Sequence, residues 1–298
     1  MRFLACLAMM AIAVSNSGWV GSGTLLAQQV PVEVGQAVRG FQDDFLGTTL
    51  QGVWKVAGEN VYSVGDGRLR VTSAGGDPNH LLFVGASYDS TVQEVLARIR
   101  ILEFGSGDAV RGGVATVVSD DFANEGINYH FRNEPSDGDR HFEFLDDKRA
   151  WANEDAFPWK NATWYWVRLR HEPDAAFGGG TDDVFAKVWL ADGSAPEPVG
   201  WQNTWNYTGA GFSRSGFAGI VAGSSGGLSE FEVDYFLLKS SGLPEITVAP
   251  AAFPQIQVPV AITNHPQSLT VAELAPAFFA VAATGYPEPT VQWFRDGK

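Results

Sequence analysis

Ile127-Asn-Tyr-His-Phe-Arg132 and His141-Phe-Glu-Phe-Leu145 stand on either side of a short polar segment that contains Asp137-Gly138. In both runs polar and large apolar residues alternate, which is the period of a strand with one buried face and not that of a helix. Asp-Gly suits a two-residue hairpin turn, because both central positions need positive φ. Closed there, the hairpin sets Arg132 opposite Glu143 and Phe131 opposite Phe144, an ion pair on one face and an aromatic pair on the other. His130, His141 and Asn128 then share the face of Arg132 and Glu143. A polar row with two imidazoles, on a sheet otherwise devoted to packing, is a candidate ligand-binding or catalytic surface. The plainer reading is an exposed hairpin with an ordinary cross-strand ion pair.

The same alternation recurs in both directions along the chain. Residues 91–102, 113–118, 164–170, 184–190, 216–222 and 231–238 each read as a strand bounded by Gly, Asp, Asn or Pro. Helical periodicity is missing over any useful length, and the 34 Gly, 15 Pro, 20 Phe and 10 Trp suit short strands and tight turns. One antiparallel β-sandwich over residues 40–241 is expected, since such domains reach about 200 residues as one unit.

With 20 basic against 34 acidic residues, a net charge of −14, the chain lacks the clustered cations that track phosphates, so nucleic acid is excluded as an expected partner. Residues 1–27 read as a secretory signal peptide: Arg2, an apolar run from Phe3 to Val14, then a polar stretch closing on Ala27. Its removal takes away Arg2 and the single cysteine, Cys6, so the mature chain would carry no disulfide, zinc-thiolate site or cysteine nucleophile. Later segments fall short of the apolar length that spans a membrane. A secreted, extracellular or cell-surface location follows as an expectation. Residues 28–39 form an N-terminal lead-in. Prolines at 244, 250, 254 and 259 mark residues 242–260 as a stiff linker whose prolines oppose pairing into a sheet.

Residues 41–239 resemble the concanavalin A-like, laminin-G-like jelly rolls of secreted bacterial proteins. The resemblance rests on Asp43-Asp44-Phe45 with Trp54, Asp66-Gly67-Arg68-Leu69, Trp164 to Leu169, Lys187-Val188-Trp189, Glu197-Pro198 with Trp201, and Phe231 to Phe236. Residues 261–298 resemble the first part of an immunoglobulin-like domain of the I-set type, through Pro266, Ser268, Val271, Glu273, Phe279, Gly285 to Pro289, Trp293 and Asp296-Gly297. Val281 stands where such domains place a cysteine, so apolar packing on Trp293 would replace the disulfide. Together these resemblances imply an all-β chain, an antiparallel jelly-roll β-sandwich plus a truncated immunoglobulin-like β-sandwich. The second domain would stop after its third strand, so the chain is expected to be a fragment of a longer protein and residues 261–298 to be poorly ordered alone.

Fold alone leaves the function open, because this fold hosts lectins, glycosidases, lyases and spacers. The E-x-D-x-x-E string that sets three carboxylates on one strand face is missing, and the laminarinase type of hydrolysis with it. Gly223-Ser-Ser-Gly-Gly227 fits G-x-S-x-G only formally, since a strand and not a helix follows. Besides His130, Arg132, His141 and Glu143, the ligand-binding candidates are Trp151, Trp159, Trp201, Trp205 and Tyr207, aromatics in Gly, Pro or Asn-containing connections that could stack on sugar rings. The resemblance also implies a structural Ca2+ between the first and last strands, held by Asp43 or Asp44 with Asp234.

The expected partner is a polysaccharide or glycan, with other extracellular proteins as a further possibility. Three functions stay open: a non-catalytic carbohydrate-binding or adhesion module of a secreted multi-domain surface or matrix protein, a polysaccharide-degrading glycosidase or lyase, and a structural spacer.

Overall fold

A computed structural model of the chain describes residues 8–13, 31–58, 61–73, 76–89, 92–105, 110–119, 126–134, 139–146, 151–172, 183–206, 215–224, 228–251, 258–270, 278–286 and 290–295. They fall into two compact units, residues 31–251 and residues 8–13 with 258–295. Every regular element among them is a strand.

In the smaller unit β1 (Ala8–Ala13) pairs antiparallel with the last strand of the chain, Thr290–Arg295, setting Met10 opposite Trp293. The larger unit follows with β2 (Ala37–Asp43), β3 (Trp54–Ala57), β4 (Val61–Gly65), β5 (Arg68–Ser73), β6 (Gly76–Asp89), β7 (Gln93–Phe104), β8 (Arg111–Val118) and β9 (Ile127–Glu134). Its later strands are β10 (Asp139–Asp146), β11 (Trp151–Asp155), β12 (Trp164–His171), β13 (Val184–Leu190), β14 (Asn203–Trp205), β15 (Ser215–Ser224), β16 (Ser229–Ser240) and β17 (Glu245–Thr247). In the smaller unit β18 (Val258–Asn264) pairs with β19 (Ala282–Tyr286), and β20 is the Thr290–Arg295 partner of β1.

A seven-stranded sheet of order β11-β10-β9-β8-β15-β6-β3 faces a nine-stranded one of order β14-β13-β12-β7-β16-β2-β17. β4 and β5 complete the second sheet: β5 lies along Ser229–Val233 of β16, and β2 takes over the same edge at Phe236–Lys239. Late strands β15 and β16 insert between early ones, the antiparallel wrap of a jelly roll, which leaves few strand edges unpaired.

The core lies between the sheets. Tyr129, Phe131, Phe142 and Phe144 of the seven-stranded sheet meet Val95, Ile99, Val167, Leu169, Phe231, Val233 and Phe236 of the other. Gln93 crosses from one sheet to the other, accepting from the Val117 amide at 3.1 Å and donating to the Gly216 carbonyl at 3.1 Å. Asp66 and Gly67, with φ of 54° and 68°, make the two-residue turn that joins β4 to β5 in the register Gly65 to Arg68.

Two sequence expectations change. The β9–β10 pairing is not the register a two-residue Asp137-Gly138 turn would give. Glu134 pairs with Asp139, so Arg132 faces His141, His130 faces Glu143 and Phe131 faces Phe142. The slip is two residues, and because side chains alternate with period two every residue keeps its expected face. The region expected as a linker is also partly folded. β17 pairs with β2, and Val248 and Ala251 are buried. Pro244 and Pro250 flank this short edge strand, where a missing amide donor breaks no ladder.

Candidate functional site

Residues directly opposite on neighbouring strands share a face, so the registers of the seven-stranded sheet define its outer surface. His80 pairs with Val221, Val221 with Gly113, Gly113 with His130, and His130 with Glu143. One step along, Gly223 pairs with Arg111 and Arg132 with His141. These side chains point away from the aromatic core carried by Tyr129, Phe131, Phe142 and Phe144. Beside them on the same face Leu82, Ala115, Val118 and Val221 form a small apolar cluster. The outer face of the sheet thus joins apolar to polar groups, all of them buried.

The polar groups are buried, His130 completely and Arg132, His141 and Glu143 to within 6%. Arg132 Nε donates to Glu143 Oε1 at 2.5 Å, and His141 Nε2 lies 3.7 Å from the same oxygen. His141 Nδ1 is 3.6 Å from Glu154 Oε1, a carboxylate half open to solvent, so the row runs inward from water at β11. His80 Nε2 lies 3.4 Å from Asn128 Oδ1. Burial, then the positive charges of Arg111 and Arg132 and the neighbouring His141, drive the His130 pKa well below 6.5, so its imidazole is neutral. Gly113 lets β8 lie close against β9 here: a Cβ there would stand 2.3 Å from the Tyr129 carbonyl oxygen and 2.7 Å from His130 Cβ.

The expected polar quartet is therefore brought together, and His80 and Arg111 join it. Arg111 opens the run Arg-Gly-Gly-Val-Ala-Thr-Val-Val, and the two glycines beside a lone cation inside a strand are the signal that could have marked it. His80 sits among Leu81 and Leu82 and offered no comparable signal.

Two of the five expected aromatics, Trp159 and Trp205, pack into or against the core. Trp159 is buried in the core, donates its indole N–H to the Arg132 carbonyl at 2.8 Å and stands edge-on to Phe131 and Phe104. Trp205 stacks on Phe144 against the core. Trp201 is half-buried, with Phe185 beside it and the Lys187 ammonium 5.1 Å from its ring centre. Trp151 opens the edge strand β11 and pairs through its backbone with Leu145. Tyr207 lies outside the described residues.

Two of the carboxylates in the expected calcium set, Asp43 and Asp234, are engaged by other groups. Asp43 already accepts from the Trp54 indole and the Phe45 amide, each at 2.8 Å. Asp234 is a bidentate acceptor of the buried Arg98, 2.7 Å from its Nε. Both carboxylates are filled by donors, and among the described residues no group of three His, Cys, Asp or Glu side chains could hold a metal ion.

A second charged network, missed in the sequence, lies on the outer face of the nine-stranded sheet. Arg168 donates to Glu33 at 2.6 and 2.8 Å, pairs with Glu94, and has its Nε 3.0 Å from Glu197. Lys239 joins Glu33 and Glu94, and Lys187 joins Glu197. Burial alone would raise the Glu33 pKa, but bonds and charge from Arg168 and Lys239 hold it down to about 2. Each charge here has an opposite partner, which marks the network as a fastening for the lead-in around Glu33.

No protein-family model matches the chain, and no curated protein matches its sequence. Among solved structures it is similar to peanut lectin, at 11% identity and a TM-score of 0.46 over 72% of this chain and 100% of that one. Lectin I-B4 from Griffonia simplicifolia gives 10% identity and 0.46 over 68% and 99%, and a β-1,3-glucanase from Mycobacterium marinum 13% and 0.40 over 66% and 97%.

Proposed function

We propose that the larger unit is a carbohydrate-binding module of a secreted protein, taking its ligand on the outer face of the seven-stranded sheet. One observation carries the reading: His130, Arg132, His141 and Glu143 are gathered and buried on the face that the apolar core does not use. Ion pairs buried for stability alone are commonly matched or bettered by apolar residues of the same volume, so a polar row kept on this face points to a ligand. Leu82, Ala115 and Val221 adjoin the row as a fully buried apolar cluster that backs it. The strands of the smaller unit, read as immunoglobulin-like, act as a spacer.

A second reading has its own support. The neutral His130 beside Arg132 and Glu143 is a base held next to a cation, the chemistry of a lyase. A glycan array probed with the full chain tests the first reading, with binding expected to at least one glycan class. Incubation with the bound polysaccharide separates the two: a binding module releases no product, and unsaturated ends absorbing in the ultraviolet identify a lyase. Binding nowhere on the array overturns the proposed function.

A further inference from the structure

Glu154 comes to face His141 through an irregularity in its own strand, β11, the edge of the seven-stranded sheet. Phe142 of β10 pairs with Asp155 and Phe144 with Ala152, so Asn153 and Glu154 together stand opposite the single residue Glu143. Such a β-bulge re-aims the side chains of the strand that carries it. Asn153 supplies the left-handed conformation, with φ of 50°, in a region that asparagine tolerates. It is fixed there from the other sheet: its side-chain amide donates to the Thr204 carbonyl, and its own carbonyl accepts from the Asn203 side-chain amide. Asp155 turns to the core, where it accepts from the Tyr129 hydroxyl at 3.3 Å, while the bulge leaves the preceding Glu154 on the side of His141.

His141 therefore lies between two carboxylates. Its Nε2 is 3.7 Å from Glu143 Oε1 and its Nδ1 3.6 Å from Glu154 Oε1. A neutral imidazole carries one N–H and can donate toward one of them; an imidazolium carries two and can donate toward both. The other charged and titratable groups come from β9 and β8. Arg132, directly opposite His141, bonds Glu143 at 2.5 Å and meets that carboxylate's charge. Arg111 stands beyond Arg132, and His130, opposite Glu143, is held neutral. Glu154, half open to water, is thus the carboxylate that a charge on His141 would serve, and it is also the route by which a proton reaches the ring.

We infer that His141 is a proton-operated latch for the edge strand β11. Taking up a proton from solvent, the imidazolium joins Glu143 to Glu154 and fastens β11 against β10; losing it, the ring lets go of one carboxylate and the strand loosens. The latch closes as pH falls through the histidine range and opens as pH rises. His130 on the same face acts in the opposite sense, because its burial refuses the proton, so the latch is read locally at β11 and not in the stability of the whole fold.

Hydrogen exchange of the full chain between pH 8 and 5.5, corrected for the intrinsic pH dependence of exchange, tests it. Protection of the amides of residues 151–155 should rise about threefold as pH falls, the size of effect that an ion pair half open to solvent provides. The midpoint should coincide with that of the His141 ring in a proton NMR titration, its resonance assigned by its loss in His141→Gln. Both His141→Gln and Glu154→Gln should abolish the rise, and β17, an edge strand of the other sheet, should not share it. Should thermal midpoints show that His141→Gln has lost its fold, Glu154→Gln decides alone, since its carboxyl is half open to water. Protection at 151–155 that is independent of pH, that rises equally at β17, or that still rises in Glu154→Gln overturns the latch.

Discussion

His130 and Glu33 show how far single residues depend on their surroundings. In the sequence His130 is one imidazole in a strand; in the fold, burial and two guanidiniums hold it neutral. Its folded pKa lies below 6.5, so as pH falls through that value the unfolded chain takes up a proton that the folded chain refuses, and stability drops. Glu33 acts in a lower window. Its carboxyl falls from 4.5 to about 2, so its contribution, on the order of 3 kcal/mol, is complete above the ordinary value and is lost as pH falls from there toward 2. Denaturant unfolding measured from pH 8 to 3 should therefore show two acid-side losses. His130→Gln should flatten the upper one and Glu33→Gln the lower, and unchanged profiles would contradict both assignments. Asp43 and Asp234, expected as calcium ligands, illustrate the opposite case. Acidic residues at Asp43 and Asp234 were legible, but the Trp54 indole and Arg98 that fill them come from distant places in the chain. The thermal midpoint should accordingly be the same in excess calcium and in chelator, and a rise of several degrees with calcium would show the carboxylates to be open.

At the scale of elements, alternation identified β7, β8, β9, β10, β12, β13, β15 and β16, because each presents one face to a single core. It also put His130, Arg132, His141 and Glu143 on one side even though the pairing slipped by two residues. The Arg168 network stayed hidden for a physical reason. Arg98, Arg168, Glu94 and Asp234 sit at the polar positions of their strands, where alternation implies water; instead each meets an opposite charge, and added chain segments cover that face. Backbone bonds from Gly35 to the Val248 carbonyl and from Val248 to the Gln36 carbonyl, both 2.9 Å, tie the lead-in to the stretch after β16. Deleting residues 28–36 should thus cost about 3–5 kcal/mol, the loss expected when a buried charge network gives up one partner. Denaturant unfolding checks it, and a loss under 1 kcal/mol would mean the lead-in is ornamental to the fold. β20 makes a separate case. It pairs with β1, which belongs to the stretch read as a removable leader, so a chain beginning at Gln28 should exchange its amide hydrogens at 290–295 rapidly. Strong protection there would show that β20 stands without that partner.

For the whole molecule, an antiparallel β-sandwich was open to sequence reasoning because two-faced strands and tight turns suit few other folds, and its jelly-roll wrap was implied by the resemblance of residues 41–239. The function was less so, because it depends on which polar positions converge: Arg111 comes from β8, which pairing sets beside β9, and His80 from β6, two strands beyond it. The account holds that this convergence exists for a glycan and not for stability. Replacing the buried pair by apolar residues of similar volume, Arg132→Met with Glu143→Leu, separates the two directly, because such replacements leave stability unchanged or raise it by about 1–4 kcal/mol. The deciding measurement is calorimetric titration of the parent chain and this double variant with the polysaccharide the parent binds, alongside their thermal midpoints. The account predicts a variant at least as stable as the parent whose glycan binding is lost; a well-folded variant that binds as the parent does would contradict it.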